Sequence, residues 1–316
     1  MAGGPSTVEL AVAVSDAGGL GFLAAGYRGP EEMRDEIREL RGGRLFGMNL
    51  FVPGRAEVDE AALAAYVASL GEGTGEPHFD DDGWRAKLDV LRDEEPVPVV
   101  SFTFGCPPLC EVRSLQAHGS EVWVTVTSVA EARAARDAGA DALILQGLEA
   151  GGHRGTWVDG DVEALALREL LSRVSSSDVD LPLVATGGIA DADGVAEVLA
   201  AGAVAAQVGT AFMLAPEAGT HPAHREAISS DRPTALTRAF TGRLARGIEN
   251  RFMAEHTDAP IAYPHINYAT APLRAAARAR GDADGFNLWA GQAHSLAVAR
   301  PAAETVRVLS AAARAA

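Results

Sequence analysis

Apolar and polar positions follow two alternating rhythms along this chain. An Ala-rich stretch with apolar residues at helical spacing ends in Gly. A short run of consecutive apolar, often β-branched residues follows within a few positions. The unit occurs at residues 8–17, closed by Gly18-Gly19 and followed by Leu20-Gly21-Phe22-Leu23-Ala24. It returns at 115–118 with Gly119, before Glu121-Val122-Trp123-Val124-Thr125-Val126, and at 129–138 with Gly139, before Ala142-Leu143-Ile144-Leu145. A further copy is 195–201 with Gly202, before Val204-Ala205-Ala206-Gln207-Val208. Gly just past a helix end closes the last turn in the left-handed conformation. An apolar run of this length without alternation is a strand buried on both faces. Seven strands are predicted, at 20–25, 45–52, 97–104, 121–127, 142–147, 182–187 and 204–212, each with a helical stretch before it. Strands alternating with helices imply a parallel sheet joined by right-handed crossovers.

The first element is a helix, beginning near Ser6 as N-cap with Glu9 three residues on. A (β/α)8 barrel has eight strands and starts with one. The expected fold class is therefore α/β: a TIM (β/α)8 barrel lacking its first strand, with a small helical second domain. Residues 1–5 would be the loop that strand feeds, and an in-frame apolar run is expected upstream of the Met1 codon. A seven-strand doubly wound sheet is the structural alternative. Residues 53–96 are too long for one barrel helix and read as an insertion. It holds a helix near 57–69, an acidic Gly-rich link with Asp80-Asp81-Asp82, and a helix near 84–92. The division expected is a barrel over 1–213, a small helical domain over 214–300 at the barrel mouth, and a final helix in 301–316, ending near 315, that returns to the barrel.

Charge narrows the function. There are 27 basic against 43 acidic residues, a net charge of −16. Nucleic-acid binding needs a basic face, and so does an anionic membrane surface. No run reaches about 18 apolar residues, so no membrane span is expected, and residues 1–5 lack the features of a signal peptide. Cys106 and Cys110 are the only cysteines. They are too few for a disulfide scaffold, and a cytoplasmic protein is expected. A length of 316 residues, 47% of them hydrophobic, suffices for a sizeable core in one or two domains.

The chemistry concentrates at strand ends. Gln146-Gly147-Leu148-Glu149-Ala150-Gly151-Gly152-His153-Arg154-Gly155 leaves the C-terminal end of a strand, where barrel active sites sit. Gly151 and Gly152 let a ligand approach the backbone. Gln146 offers a donor and an acceptor, suited to a heteroaromatic ring edge. His153 can exchange a proton near neutral pH. The bland alternative is a flexible loop with a solvated His and Arg. Thr186-Gly187-Gly188-Ile189 and Gln207-Val208-Gly209-Thr210 end the next two strands, where barrels commonly hold phosphate on backbone N–H groups. Tight strand–helix packing would also explain that Gly-Gly pair. Neither segment is a P-loop or a dinucleotide fingerprint. Asn49 is polar in the otherwise apolar Phe46-Gly47-Met48-Asn49-Leu50-Phe51 strand, so it must find a partner, in the core or in a ligand. No metal site is expected. Cys106 and Cys110 have no matching Cys/His pair, and His221, His224, His256 and His265 lack zincin spacing.

These segments together resemble the nitronate monooxygenase family of FMN-dependent barrel enzymes. The likeness runs over nearly the whole chain, from Met1-Ala2-Gly3-Gly4-Pro5-Ser6 through Gly47-Met48-Asn49-Leu50 to Leu288-Trp289-Ala290-Gly291-Gln292. The Glu149-Ala150-Gly151-Gly152-His153 core is its most specific part. The resemblance implies FMN at the barrel mouth, its phosphate on Gly188 and on Gln207, Val208, Gly209 and Thr210. Asn49, Gln146 and Gly151 would contact the ring or ribityl chain, and Met1 would touch the flavin. His153 would be the catalytic residue, deprotonating a nitroalkane or holding a nitronate anion, helped by positive charge on the imidazole or on Arg154. The implied reaction oxidises an alkyl nitronate, such as propionate 3-nitronate, with O2 to a carbonyl compound and nitrite. The implied partners are that small molecule and a second copy in a homodimer. Two other readings compete. One is an FMN-dependent NAD(P)H reductase acting on enoyl-acyl-carrier-protein or quinone. The other is an inactive flavin-binding remnant.

Overall fold

The computed structural model describes residues 1–54, 57–160 and 163–313. The barrel half begins α1 (Val8–Asp16), β1 (Gly21–Ala24), α2 (Pro30–Leu40), β2 (Phe46–Phe51), α3 (Glu60–Ser69) and α4 (Trp84–Asp93). It continues β3 (Val99–Thr103), α5 (Leu109–His118), β4 (Glu121–Val126), α6 (Val129–Asp137), β5 (Ala142–Gln146) and β6 (Gly152–His153). Then come α7 (Leu167–Ser175), β7 (Leu183–Thr186), α8 (Ala192–Ala200) and β8 (Ala205–Gln207). The remainder is α9 (Pro222–Ile228), β9 (Thr234–Thr237), β10 (Ala245–Ile248), α10 (Arg251–Glu255), α11 (His265–Ala279) and α12 (Ala302–Ala313).

The seven predicted strands are all present and form one parallel sheet in the order β1-β2-β3-β4-β5-β7-β8. Consecutive strands are neighbours throughout, as in a barrel, and the doubly wound alternative is set aside because its order would reverse direction. The sheet curls with β1 and β8 as its two edges. Burial explains the apolar runs: every residue of β5 is buried, and Leu143 and Leu145 are wholly inaccessible. Each such side chain contributes roughly 1.5–3 kcal/mol by leaving water. The glycine after each repeated helix adopts positive φ, at Gly18, Gly119, Gly139 and Gly202, which lets the chain turn sharply into the next strand.

Three local features differ from the sequence reading. Helix α1 is capped by Thr7, whose hydroxyl accepts from Leu10 N at 3.0 Å, while Ser6 is buried one residue earlier. The eighth strand position is shorter than expected, because residues 210–212 turn into a 3-10 helix. The segment after β8 also contains strand. β6, β10 and β9 form an antiparallel ribbon in that order, which ties the 146–155 loop to the C-terminal region. Helix α12 packs against α8 and α1 beside the open edges. The expected end of that helix near 315 falls outside the described residues, as do 55–56 of the insertion.

Candidate functional site

A cavity of about 1380 Å³ reaches from the C-terminal ends of the parallel strands along the gap between β1 and β8 to α1 and α12. Asn49 reaches it from β2, Gln146 from the end of β5, Gly151 and His153 from the following loop, Gly188 after β7, and Gln207, Val208, Gly209 and Thr210 after β8. The nine residues singled out in the sequence therefore line a single cavity. The loops after β1 and β3 add Tyr27 and Phe104 to its wall, and the C-terminal region adds Asn287 and Trp289.

His153 is fixed by the ribbon, with its Cα in register with Ala245 of β10. Its Nε2 lies 2.9 Å from Thr241 Oγ1, which leaves Nδ1 open to the cavity. Phe104, Tyr263 and Trp289 pack around the ring at centroid distances of 5.8, 5.6 and 5.6 Å. Burial among these rings pushes the imidazole pKa down to about 3, and the positive charges of Arg243 and Arg274 push the same way. The ring is neutral at physiological pH, contrary to the expected imidazolium. Arg154 also departs from expectation. It is 3% exposed and turned away from the cavity, donating through Nη1 to Gly147 O at 2.6 Å, so it braces the loop from behind. The positive field comes instead from Arg274 and from Arg243, whose guanidinium carbon sits 3.9 Å from the Phe104 ring centroid.

Asn49 Oδ1 accepts from Ser101 Oγ at 2.9 Å and Thr103 Oγ1 at 3.0 Å, which aims its amide nitrogen elsewhere, with no protein acceptor among the described residues. Gln146 is more constrained than its sequence position suggests. Its Oε1 accepts from Gly155 N at 2.7 Å and its Nε2 donates to His153 O at 3.1 Å, so one N–H remains for a ligand. A Cβ on Gly151 would lie 2.4 Å from the backbone of Ala290 and Gly291. Gly188 has φ +72°, and the backbone N–H groups of Gly188, Ile189 and Gly209 meet no acceptor among the described residues. Polar groups at a strand end with room before them form a ready anion cradle. Among the described residues three non-glycines have positive φ: Tyr27 and Phe104, which line this cavity, and Asp82, which lines a smaller one beside it, and backbone strain of this kind concentrates at working sites.

The family model described as "NMO: Nitronate monooxygenase" matches residues 1–311. The chain belongs to the nitronate monooxygenase family. Its relatives include a nitronate monooxygenase of Pseudomonas aeruginosa, 42% identical over 97% of this chain and 92% of that one. Among solved structures, nitroalkane oxidase from Streptomyces ansochromogenes is 47% identical with TM-score 0.96, covering 100% of this chain and 94% of that one. FabK from Thermotoga maritima is more distant, at 29% identity and TM-score 0.78, covering 100% and 91%. The nitronate monooxygenase family is one of oxidoreductases.

Within this nitronate monooxygenase fold several residues act that sequence reasoning did not select. Glu149, part of the most specific motif, does not line the cavity; it accepts from Leu167 N at 3.0 Å. It thereby caps helix α7, whose own N-cap is Ala166 and has no side-chain acceptor. Thr210, which the sequence did single out, has a further role: its Oγ1 accepts from Gly291 N at 3.0 Å and joins the β8 end to the Trp289-Ala290-Gly291 turn. Thr241, Arg243 and Arg274 lie about 90–120 residues beyond His153 and carry no motif of their own. Among the described residues no three potential metal ligands cluster, and no helix is long and apolar enough to cross a membrane.

Proposed function

We propose that the cavity binds FMN and that the protein oxidises alkyl nitronates, with propionate 3-nitronate as the model substrate, to a carbonyl compound and nitrite using O2. The observation that carries this reading is the join between two surfaces of one cavity: an unpartnered glycine cradle after β7 and β8, and the open Nδ1 of His153. The residues present fit FMN. A Cβ on Gly209 would meet nothing nearer than the Met1 side chain at 3.4 Å, and one on Gly152 would meet nothing within 4 Å. The bareness of these two positions is space for a ligand, not a demand of packing. Gly188, Gln207, Val208, Gly209 and Thr210 would hold the phosphate. Asn49, through its amide nitrogen, the last N–H of Gln146 and the backbone at Gly151 would hold the ring and ribityl chain. When bound, FMN supplies electron acceptance and reaction with oxygen.

The chain's own contribution is orientation and charge. A neutral His153 with depressed basicity is a poor base for an alkane C–H but a good hydrogen-bonding partner for an anion. Arg243 and Arg274 supply positive potential without a protonated imidazole. The site thus suits a substrate that arrives already deprotonated. Phe104 and Trp289, which line the cavity beside His153, would keep water from its reactive carbon.

Aerobic turnover of a preformed nitronate, with nitrite released as oxygen is consumed, is the expected result. Rapid anaerobic bleaching by NADH without nitronate turnover would instead assign the protein to the NAD(P)H reductases. A colourless protein that FMN does not reconstitute would exclude both.

A further inference from the structure

A second chamber of about 510 Å³ adjoins the first and shares His153, Tyr27, Arg278, Asn287 and Trp289 with it. Arg274 and Arg278 stand on its wall about one helical turn apart, in the last two turns of α11, whose C-cap is Arg280. Both donate to the same atom, Asn287 Oδ1, at 3.3 and 2.8 Å. The other partners of Arg274 are also uncharged: Thr270 Oγ1 at 3.0 Å, and Asn267 O and Oδ1 at 2.7 and 2.8 Å. Arg278 makes no other hydrogen bond among the described residues and lies over the Phe286 ring. Neither guanidinium has a carboxylate within 4.0 Å among the described residues, although the chain carries 43 acidic side chains. The acids at the chamber's rim are engaged elsewhere. Asp82 binds Lys87 at 2.7 Å and Asp80 accepts from Tyr268 at 2.6 Å.

Two like charges taken out of water side by side are costly unless a counter-charge joins them. Asn287 and Asn267 orient the two forks but do not neutralise them. The two carboxylates that line the chamber, Asp80 and Asp82, thus leave Arg274 and Arg278 without a counter-charge in contact, and the chamber communicates with the position of His153. Arg274 has one N–H left over from these bonds, whereas Arg278 keeps four, enough to grip a planar carboxylate in bidentate geometry.

We infer that Arg274 and Arg278 hold a carboxylate carried at the far end of the substrate, and so set the enzyme's preference for carboxylated over neutral nitronates. The inference rests on the nitronate reading of the site and adds the residues that choose among nitronates. Asn287 is the positioning residue that keeps the two guanidiniums together.

The test uses the FMN-reconstituted enzyme with propionate 3-nitronate and with ethyl nitronate. The readout is the ratio of kcat/KM for the two substrates. Arg278→Met should lower that ratio by about 10–100-fold, the range for losing a charge-assisted hydrogen bond, mainly through KM. Arg278→Lys should recover part of it. An unchanged ratio, with both substrates losing equally, overturns the inference. A second measurement needs no turnover: malonate should raise the melting temperature of the wild type and protect Arg278→Met much less. Equal protection of both proteins also overturns it. If neither nitronate is oxidised while malonate still protects only the wild type, the anion site stands and the nitronate reading falls.

Discussion

At the scale of single residues, the site rests on groups held in unusual states. His153 is the clearest. Its pKa falls from 6.5 to about 3 because burial and two arginines disfavour the imidazolium. A depressed pKa keeps the neutral form throughout the working range, and a neutral ring stacked nearby would add burial of the same sign. The rate on a preformed nitronate should therefore show no inflection from this residue between roughly pH 5 and 8. A pH profile with a step near 6.5 that vanishes in His153→Asn would contradict the assignment. Gly151 is the second case. Its missing Cβ is required by the backbone at Ala290 and Gly291, 2.4 Å from where the Cβ would lie. Gly151→Ala must push that turn away from Thr210, to which Gly291 is bonded. A loss of roughly 1–3 kcal/mol in urea unfolding is expected, together with weaker FMN binding by fluorescence titration. Wild-type values for both would show that the turn yields freely. The strand-end glycines and His153 were legible in the sequence because their spacing is local. The arginine pair was not. Its signal was two arginines four apart in an Ala-rich helix, but Asp282 four residues beyond Arg278 suggests a routine ion pair; the helix ends at Ala279, and Asp282 pairs instead with Arg251 and Arg280.

At the scale of elements, legibility follows burial. The seven parallel strands are continuous apolar runs because both faces are covered, and β5 shows this at every position. The ribbon strands β9 and β10 carry no such run: Thr234-Ala235-Leu236-Thr237 and Ala245-Arg246-Gly247-Ile248 neither alternate nor cluster apolar residues. β6 is two residues long and owes its existence to tertiary pairing alone. Contacts between elements are equally silent in the sequence. Glu94 ends α4, where the helix dipole disfavours a negative charge. It is held there by Arg34 and Arg38 of α2, each at 2.8 Å, and by Arg41 just beyond. These hydrogen bonds lower its pKa from 4.5 to about 2. A depressed carboxylate pKa means stability that is present above 4.5 and lost as the pH falls towards 2. Glu94→Gln should cost about 2 kcal/mol at neutral pH, discounted for the partial exposure of the arginines. The gap between variant and wild type in denaturant unfolding should close as the pH drops through that window. A gap that persists at low pH would mean the network is not what joins α2 to α4.

At the scale of the whole molecule, the proposed ligand site lies across a sheet that, among the described residues, does not close on itself. β1 and β8 are its edges. The residues assigned to FMN come from β2, from the end of β5 and from the ends of β7 and β8, while the Trp289-Ala290-Gly291 turn reaches in from the C-terminal region. A ligand that touches strands so far apart in the sheet order couples elements that otherwise meet only through their neighbours. It binds the native state and not the unfolded chain, so its free energy of binding adds to stability. At 100 times its dissociation constant FMN should add about 2.7 kcal/mol, a rise of roughly 4 °C in melting temperature for a chain of this length. Riboflavin lacks the phosphate and should stabilise less at equal concentration, because the N–H groups of Gly188, Ile189 and Gly209 would then go unmatched. Gly209→Ala separates the cradle from the fold. Its Cβ would meet only the flexible Met1 side chain at 3.4 Å, so the ligand-free melting temperature should stay near that of the wild type while the FMN-induced rise shrinks. If FMN and riboflavin stabilise equally, or if Gly209→Ala keeps the full rise, the phosphate is not held between β7 and β8, and the cofactor must enter the cavity in another orientation.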